Sequence, residues 1–382
     1  NDMYLDHAAA TPMDPLVLQD MQPYFTENFF NPSSSYAPAV EIKRDYREAK
    51  SKIAKYLGVM TDELVMTAGA TESINLAFEA AGEGKCLVGA IEHAAVMRAA
   101  ERYQTPVLIQ PNEKGHITAE MVQEKLSPDV TFVTIALANH ELGAVQPIEE
   151  ISAVIRRERE RRLMSGEKTS LIFHTDASQA LALIDLKIKR LDVDLVTLSA
   201  AKVYGPKQVG LLWVRPGVKL TPKIVGGGQE GGLRSGTENV AGAIGFATAV
   251  ELASRRRSGE LKRLRNLRNI MFSKLSEAFP EMVTSTDMKK SLVNYLNVSF
   301  PGVDAERLIF RLENQNVFVA TGSACAANLG TRSHVLRAIG LSDAEIDGSL
   351  RLTLGKLNTE DSIRKATGLI IQAVRAERER VA

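Results

Sequence analysis

Two cysteines in 382 residues, Cys86 and Cys325, are too few for a disulfide framework. The expectation is a chain kept in a reducing cytoplasm. No Cys/His cluster has zinc spacing, so no metal site is expected. Neither sign of charge dominates, because 47 Lys and Arg stand against 46 Asp and Glu. That balance gives no support to a general nucleic-acid or membrane-surface role. Long uncharged apolar runs are missing, which excludes an expected transmembrane helix. The first residues lack the basic and apolar regions of a signal peptide, so none is expected.

What is present suits a globular chain with 45% hydrophobic residues. Its length predicts a large domain over 15–260 and a smaller one from 1–14 and 261–382, with a composition change near 260. A pattern recurs in which an apolar strand ends in polar residues and a helix follows. It appears at Glu63–Thr67, Cys86–Ala90, Val130–Leu137, Leu171–Asp176 and 193–199. Repeated strand and helix predict an α/β domain with a mainly parallel sheet, whose strand ends share one edge. Helices are predicted over 38–57, from Ile74 to Ala81, over 148–163 with a solvated charged tail, and over 240–278. The basic run Arg255-Arg256-Arg257 is expected to face solvent. In the smaller part, strands are predicted at Asn294–Phe300 and Ser349–Leu354, and Val317–Cys325 reads as a strand running into a small-residue loop, with a helix from Ala305 to Gln315.

Chemistry is concentrated at the strand ends. Lys202 stands at the lip of a buried strand behind Ser199, which suits a Schiff-base lysine for pyridoxal phosphate, although a lone lysine there is more often a solvated loop lysine and only its companions reverse that balance. Asp176 ends another strand, where a carboxylate can pair with a protonated pyridine nitrogen, and Gln179 lies within reach of a ring hydroxyl. Gly69-Ala70-Thr71 opens a helix, an arrangement that suits phosphate and also any capped helix. His93 sits at a strand edge, fit to stack on a planar ring and move protons, or simply to open a helix. The glycine-rich run Gly226–Asn239 holds Arg234 and Thr237, either of which suits a phosphate. Arg351 on a late strand suits a carboxylate clamp or a surface ion pair. Cys325 enters a small-residue loop and reads as a reactive thiol, whereas Cys86 sits inside an apolar strand and reads as buried.

These segments, in this order, resemble the cysteine desulfurases of the class V aminotransferase superfamily over nearly the whole chain. The matching stretches include Tyr4-Leu-Asp with Thr11-Pro, Asn31-Pro-Ser, Thr67–Ser73, Glu92-His93, Glu141-Leu-Gly143, Asp176–Gln179, Lys202–Lys207, Gly226–Thr237, Gly322–Cys325 and Arg351. The stretch after Cys325 is similar to the long-loop group that serves iron–sulfur cluster assembly and tRNA thiolation. The resemblance implies the fold type I of pyridoxal-phosphate enzymes, a seven-stranded-type sheet with a smaller α+β domain, and a homodimer. It implies Lys202 as the cofactor lysine, Asp176 at the pyridine nitrogen, and Gln179 at the ring hydroxyl. Ala70, Thr71 and Ser199 would hold the phosphate, with Thr237 reaching it in the other subunit. His93 would stack on the ring, His140 would stand near it, and Asn31 and Arg351 would hold the substrate carboxylate. Cys325 would take sulfur from L-cysteine as a persulfide, releasing alanine, and pass it to an acceptor protein such as an iron–sulfur scaffold or a tRNA-thiolation protein.

Two positions depart from the family pattern. Ser199-Ala200-Ala201 stands where the family usually has Ser-Gly-His, which removes an imidazole expected on the phosphate. Asn139-His140-Glu141 stands where Asn-Asn-Glu is usual. Other readings are a selenocysteine lyase or aminotransferase of the same superfamily, or a scaffold that has lost the cofactor. The Gly322-Ser-Ala-Cys325 loop favours the desulfurase.

Overall fold

A computed structural model of the chain describes residues 2–321 and 331–382. In chain order the strands are β1 (Leu64–Thr67), β2 (Lys85–Gly89), β3 (Thr105–Ile109), β4 (Val130–Thr134), β5 (Ile172–Asp176), β6 (Leu195–Ser199), β7 (Gly210–Val214), β8 (Val283–Thr284), β9 (Tyr295–Ser299), β10 (Ala320–Thr321) and β11 (Ser349–Thr353). The first seven form one sheet in the order β1-β7-β6-β5-β4-β2-β3, and the rest form a second in the order β10-β11-β9-β8. In the large sheet β7 runs antiparallel to β1 and β6, and the remaining pairs are parallel. The small sheet is antiparallel throughout.

The central strands β4 and β6 are buried at every residue, as expected of parallel strands covered by helices on both faces. His174, in the middle of β5, is satisfied there by the hydroxyls of Thr134 and Thr197, each 2.8 Å from a ring nitrogen. The edge strand β3 is only partly buried and carries Pro106, a residue tolerated where a ladder hydrogen bond is not needed. It was not among the predicted strands, because Pro106 interrupts its apolar run.

Several expectations shift in detail. The helix expected from Ile74 begins at Ala70, since Gly69 at φ 146° turns the chain directly into it. In the stretch Val317–Cys325, Ala320–Thr321 is a strand, Phe318 bridges Tyr4, and the residues after Thr321 lie outside the described ones. The charged tail of Ile148–Met164 is not wholly solvated. Arg162 is buried, bonded to Glu158 and to the carbonyls of Ser127 and Thr169. In the basic run, Arg255 and Arg256 are exposed as expected, Arg256 also pairing with Asp14 at 2.7 Å, and only Arg257 is half-buried.

The domain boundary expected near 260 falls inside one helix, Val240–Ala278, of 39 residues. It packs against helices Pro15–Met21, Ala37–Leu57 and Glu360–Val381, and against β9. One apolar core runs through both sheets along it. The N-terminal segment also joins the small sheet. Leu5 exchanges backbone hydrogen bonds with Phe318 and Thr353, and Ala8 N donates to Thr353 Oγ1 at 2.9 Å.

A tight contact connects the small sheet to the loop that carries His140. Gly143 has φ 73°, and a Cβ there would lie 2.5 Å from Cγ of Tyr295 on β9. Gly143→Ala therefore meets both backbone strain and a ring that is buried. It is expected to lose at least about 2 kcal/mol of stability by urea unfolding. A loss below about 0.5 kcal/mol would show that the ring yields.

Candidate functional site

A cavity of ≈ 550 Å³ opens at the C-terminal ends of the parallel strands. It gathers Ala70, Thr71, His93, His140, Asp176, Gln179, Ser199, Lys202 and Arg351 from separate elements. Two predicted residues stand apart in the single chain. Asn31 is exposed with its Oδ1 accepting from Ser33 N at 2.9 Å, and Thr237 is exposed on the glycine-rich loop. Neither lines the cavity. Cys325 lies outside the described residues. Cys86 is fully buried in β2, and burial pushes its thiol pKa up, as expected of a packing cysteine.

Lys202 follows β6 in a short turn, Ala200–Lys202. Its Nζ donates to the carbonyls of Ala8 at 2.9 Å and Ala9 at 2.6 Å. Gln179 reaches the same place, its Nε2 donating to Ala8 O at 3.1 Å while its Oε1 accepts from the Tyr295 hydroxyl at 2.9 Å. The Ala8 carbonyl can only accept, so the orientation of the amide follows from it. Asp176, at the tip of β5, accepts from Ser178 N at 3.0 Å through Oδ1.

His93 caps the helix Ala94–Tyr103, its Nδ1 accepting from Ala95 N at 3.1 Å. A ring nitrogen that accepts carries no proton, so in the neutral ring the proton sits on Nε2. Burial lowers its pKa, with Asp176 acting in the other direction. His140 meets it edge-on, with ring centroids 5.0 Å apart. Burial, and next the neighbouring His93, hold His140 well below the usual histidine range, so it too stays neutral.

Arg351 on β11 is 4% exposed. It donates to Asp6 Oδ1 at 2.8 Å and to the carbonyl of His140 at 3.0 Å, and its Nε has no partner among the described residues. Burial is the largest influence and opposes its charge, but Asp6, Tyr295 and Glu141 act together in the other direction and the pKa rises. The residue is therefore a charged donor inside the protein rather than half of a surface ion pair.

Sequence reasoning gave no chemical role to two acids that border this site. Glu141 receives the Ser333 hydroxyl at 2.6 Å, and burial pushes its pKa up to about 7. Glu92, beside His93, accepts from Ala136 N at 3.0 Å while its other oxygen has no partner among the described residues. Burial pushes Glu92 up to about 8. The available signal was a carboxylate directly after the apolar run Leu87–Ile91, where a strand end is expected to be covered.

Glu92 has a consequence for stability. Its folded pKa lies above the unfolded value, so the folded state binds more protons between about pH 4.5 and about pH 8. The stability that Glu92 contributes is present below that window and is lost as pH rises through it. Glu92→Gln removes the titration and keeps an acceptor for Ala136 N. Its stability relative to wild type should rise across the window, by at most about 1.4 kcal/mol per pH unit, and level off above it. Urea unfolding at a series of pH values measures this. A difference that does not vary with pH would mean that Glu92 is charged when folded.

Comparison with known proteins comes to the same place. Residues 3–365 match the family described as Aminotransferase class-V. The chain is 35% identical to a protein named "Cysteine desulfurase IscS" from Clostridium botulinum, covering 99% of this chain and 95% of the relative. A solved structure titled "NIFS-LIKE PROTEIN" superposes with TM-score 0.89 at 30% identity, covering 98% of this chain and 99% of that one. Another, titled "SspA in complex with cysteine", has TM-score 0.77 at 32% identity, covering 93% and 99%. With sheet order, site and sequence in agreement along the whole length, the chain belongs to the class-V aminotransferase family and, within it, to the cysteine desulfurases.

Proposed function

We propose that this chain uses pyridoxal phosphate to take sulfur from L-cysteine, releasing L-alanine and leaving a persulfide on Cys325 for an acceptor protein. The observation that carries this reading is the meeting of Lys202, Asp176, His93, Arg351 and the N-terminus of helix Ala70–Ala77 in one cavity. Class V enzymes depend on this cofactor, and the donor set fits it. The helix N-terminus with the Thr71 and Ser199 hydroxyls suits the phosphate. Asp176 suits a protonated ring nitrogen, Gln179 the ring hydroxyl, and Lys202 the aldehyde. Thr237 is exposed on its own chain, a placement open to serving the site of a second copy in a homodimer. The neighbour solved with cysteine supports the substrate.

Held there by these residues, pyridoxal phosphate would supply an electron sink for the substrate's α-carbon. The residues of the chain do the remainder. The Ala8 and Ala9 carbonyls hold the Lys202 ammonium in place. The neutral His93 ring offers its Nε2 proton, with the neutral His140 beside it. Arg351 offers its guanidinium, Nε–H included, to the substrate carboxylate while Asp6 fixes its other edge. Asn31, assigned to the same carboxylate by the family resemblance, does not line the cavity of the single chain. The Cys325 thiolate then bonds to the substrate sulfur. The C–S bond breaks with its electron pair left on carbon, which takes up a proton and leaves as alanine.

Purified protein supplied with pyridoxal phosphate and L-cysteine is expected to release alanine, and sulfide when a thiol reductant is present. Cys325→Ser should keep the cofactor yet lose turnover roughly a hundredfold or more, because a hydroxyl is a far weaker sulfur acceptor. Lys202→Ala should lose the cofactor mass that borohydride fixes to the wild type. Full turnover by Cys325→Ser, or cofactor still fixed in Lys202→Ala, contradicts these assignments.

A further inference from the structure

A phosphate carries close to two negative charges, and the groups named for it supply little positive charge in return. A helix N-terminus offers about half a charge, and the Thr71 and Ser199 hydroxyls are neutral. Ala201, which follows Ser199 and lines the cavity, has only a methyl group, and its carbonyl is occupied by the Thr11 hydroxyl at 2.8 Å. Arg234 lies near this helix but is committed to Glu72 at 3.0 Å. Of the cations lining the cavity, Arg351 is paired with Asp6, and Lys202 is held by the Ala8 and Ala9 carbonyls.

Lys207 is the remaining one. It lines the cavity together with Gly69, Ala70 and Thr71, and no carboxylate of a described residue lies within 4.0 Å of it. The backbone explains its position. β7 begins at Gly210, which pairs with Thr67, and a Cβ at Gly210 would lie 2.7 Å from the carbonyl carbon of Gly69. The loop entering β7 is thus pressed onto the turn that opens helix Ala70–Ala77. Gln208 holds φ 59° to make that approach, an unfavourable conformation for a residue other than glycine. Strain of this kind collects at ligand sites.

We propose that Lys207 binds the phosphate of pyridoxal phosphate, supplying from the loop before β7 the positive charge that the Ala201 methyl group cannot. The proposal rests on the functional reading above and assigns a charge that reading leaves open. A charge-assisted contact of this type corresponds to about tenfold or more in affinity.

Equilibrium dialysis with pyridoxal phosphate and with pyridoxal, which has the same ring and aldehyde but no phosphate, separates the possibilities. Lys207→Ala should bind pyridoxal phosphate about tenfold or more weakly and pyridoxal as the wild type does. Lys207→Arg should retain most of the affinity, and adding Ala201→His to Lys207→Ala should restore part of it. Unchanged binding of pyridoxal phosphate by Lys207→Ala overturns the proposal, as does an equal loss for both ligands. A wild-type protein that binds pyridoxal but gains nothing from the phosphate also overturns it. If the wild type binds neither ligand, the functional reading itself fails and takes this assignment with it.

Discussion

The structure depends on how residues 4–10 are held. Leu5 is hydrogen-bonded into the small sheet, and Ala8 N is fixed by Thr353. On the other side, the Ala8 carbonyl receives both Lys202 Nζ and Gln179 Nε2. One short segment therefore connects the antiparallel sheet to the reactive edge of the parallel one. Asp6 in the same segment holds Arg351, so the candidate lysine and the candidate carboxylate anchor are positioned against a common backbone. The partly buried Lys202 and the buried Arg351 guanidinium each find fixed partners on this segment.

Around that segment the cavity lowers its own charge by burial. His93 and His140 are pushed toward the neutral form, and Glu92 and Glu141 toward the protonated one. Of these, Glu92 and Glu141 titrate near neutrality, where either form is accessible at small cost and a proton is easily moved. Arg351 goes the other way and stays charged, since Asp6, Tyr295 and Glu141 together oppose the effect of its burial. The site thus has proton-handling groups on the large sheet and a permanent cation on β11 of the small one.

Much of this was legible in the sequence because parallel strands are written as short apolar runs that end in polar residues. β2, β4, β5 and β6 were read in this way, and with them His93, Asp176 and Lys202 at their ends. β3 was not, since Pro106 and half-exposed residues erase the apolar run on an edge strand. Periodicity located the helix Val240–Ala278, and the composition change near 260 falls inside it. Arg351 was visible as a candidate anchor, whereas its partner Asp6, 345 positions away, was not. The same holds for Tyr295 on Gln179 and Ser333 on Glu141. Such pairs are set by topology, and no local pattern records them.

The helix Val240–Ala278 has a mechanical meaning. At 1.5 Å per residue its 39 residues make a rod of roughly 58 Å. It lies against helices at both ends of the chain and against β9 of the small sheet. A rod of that length, embedded in one core, acts as a splint. Hinge bending between the sheets would require it to break or slide, and shear at its surface would disturb side chains packed along its length. Entry and exit at the cavity therefore fall to loops and single side chains.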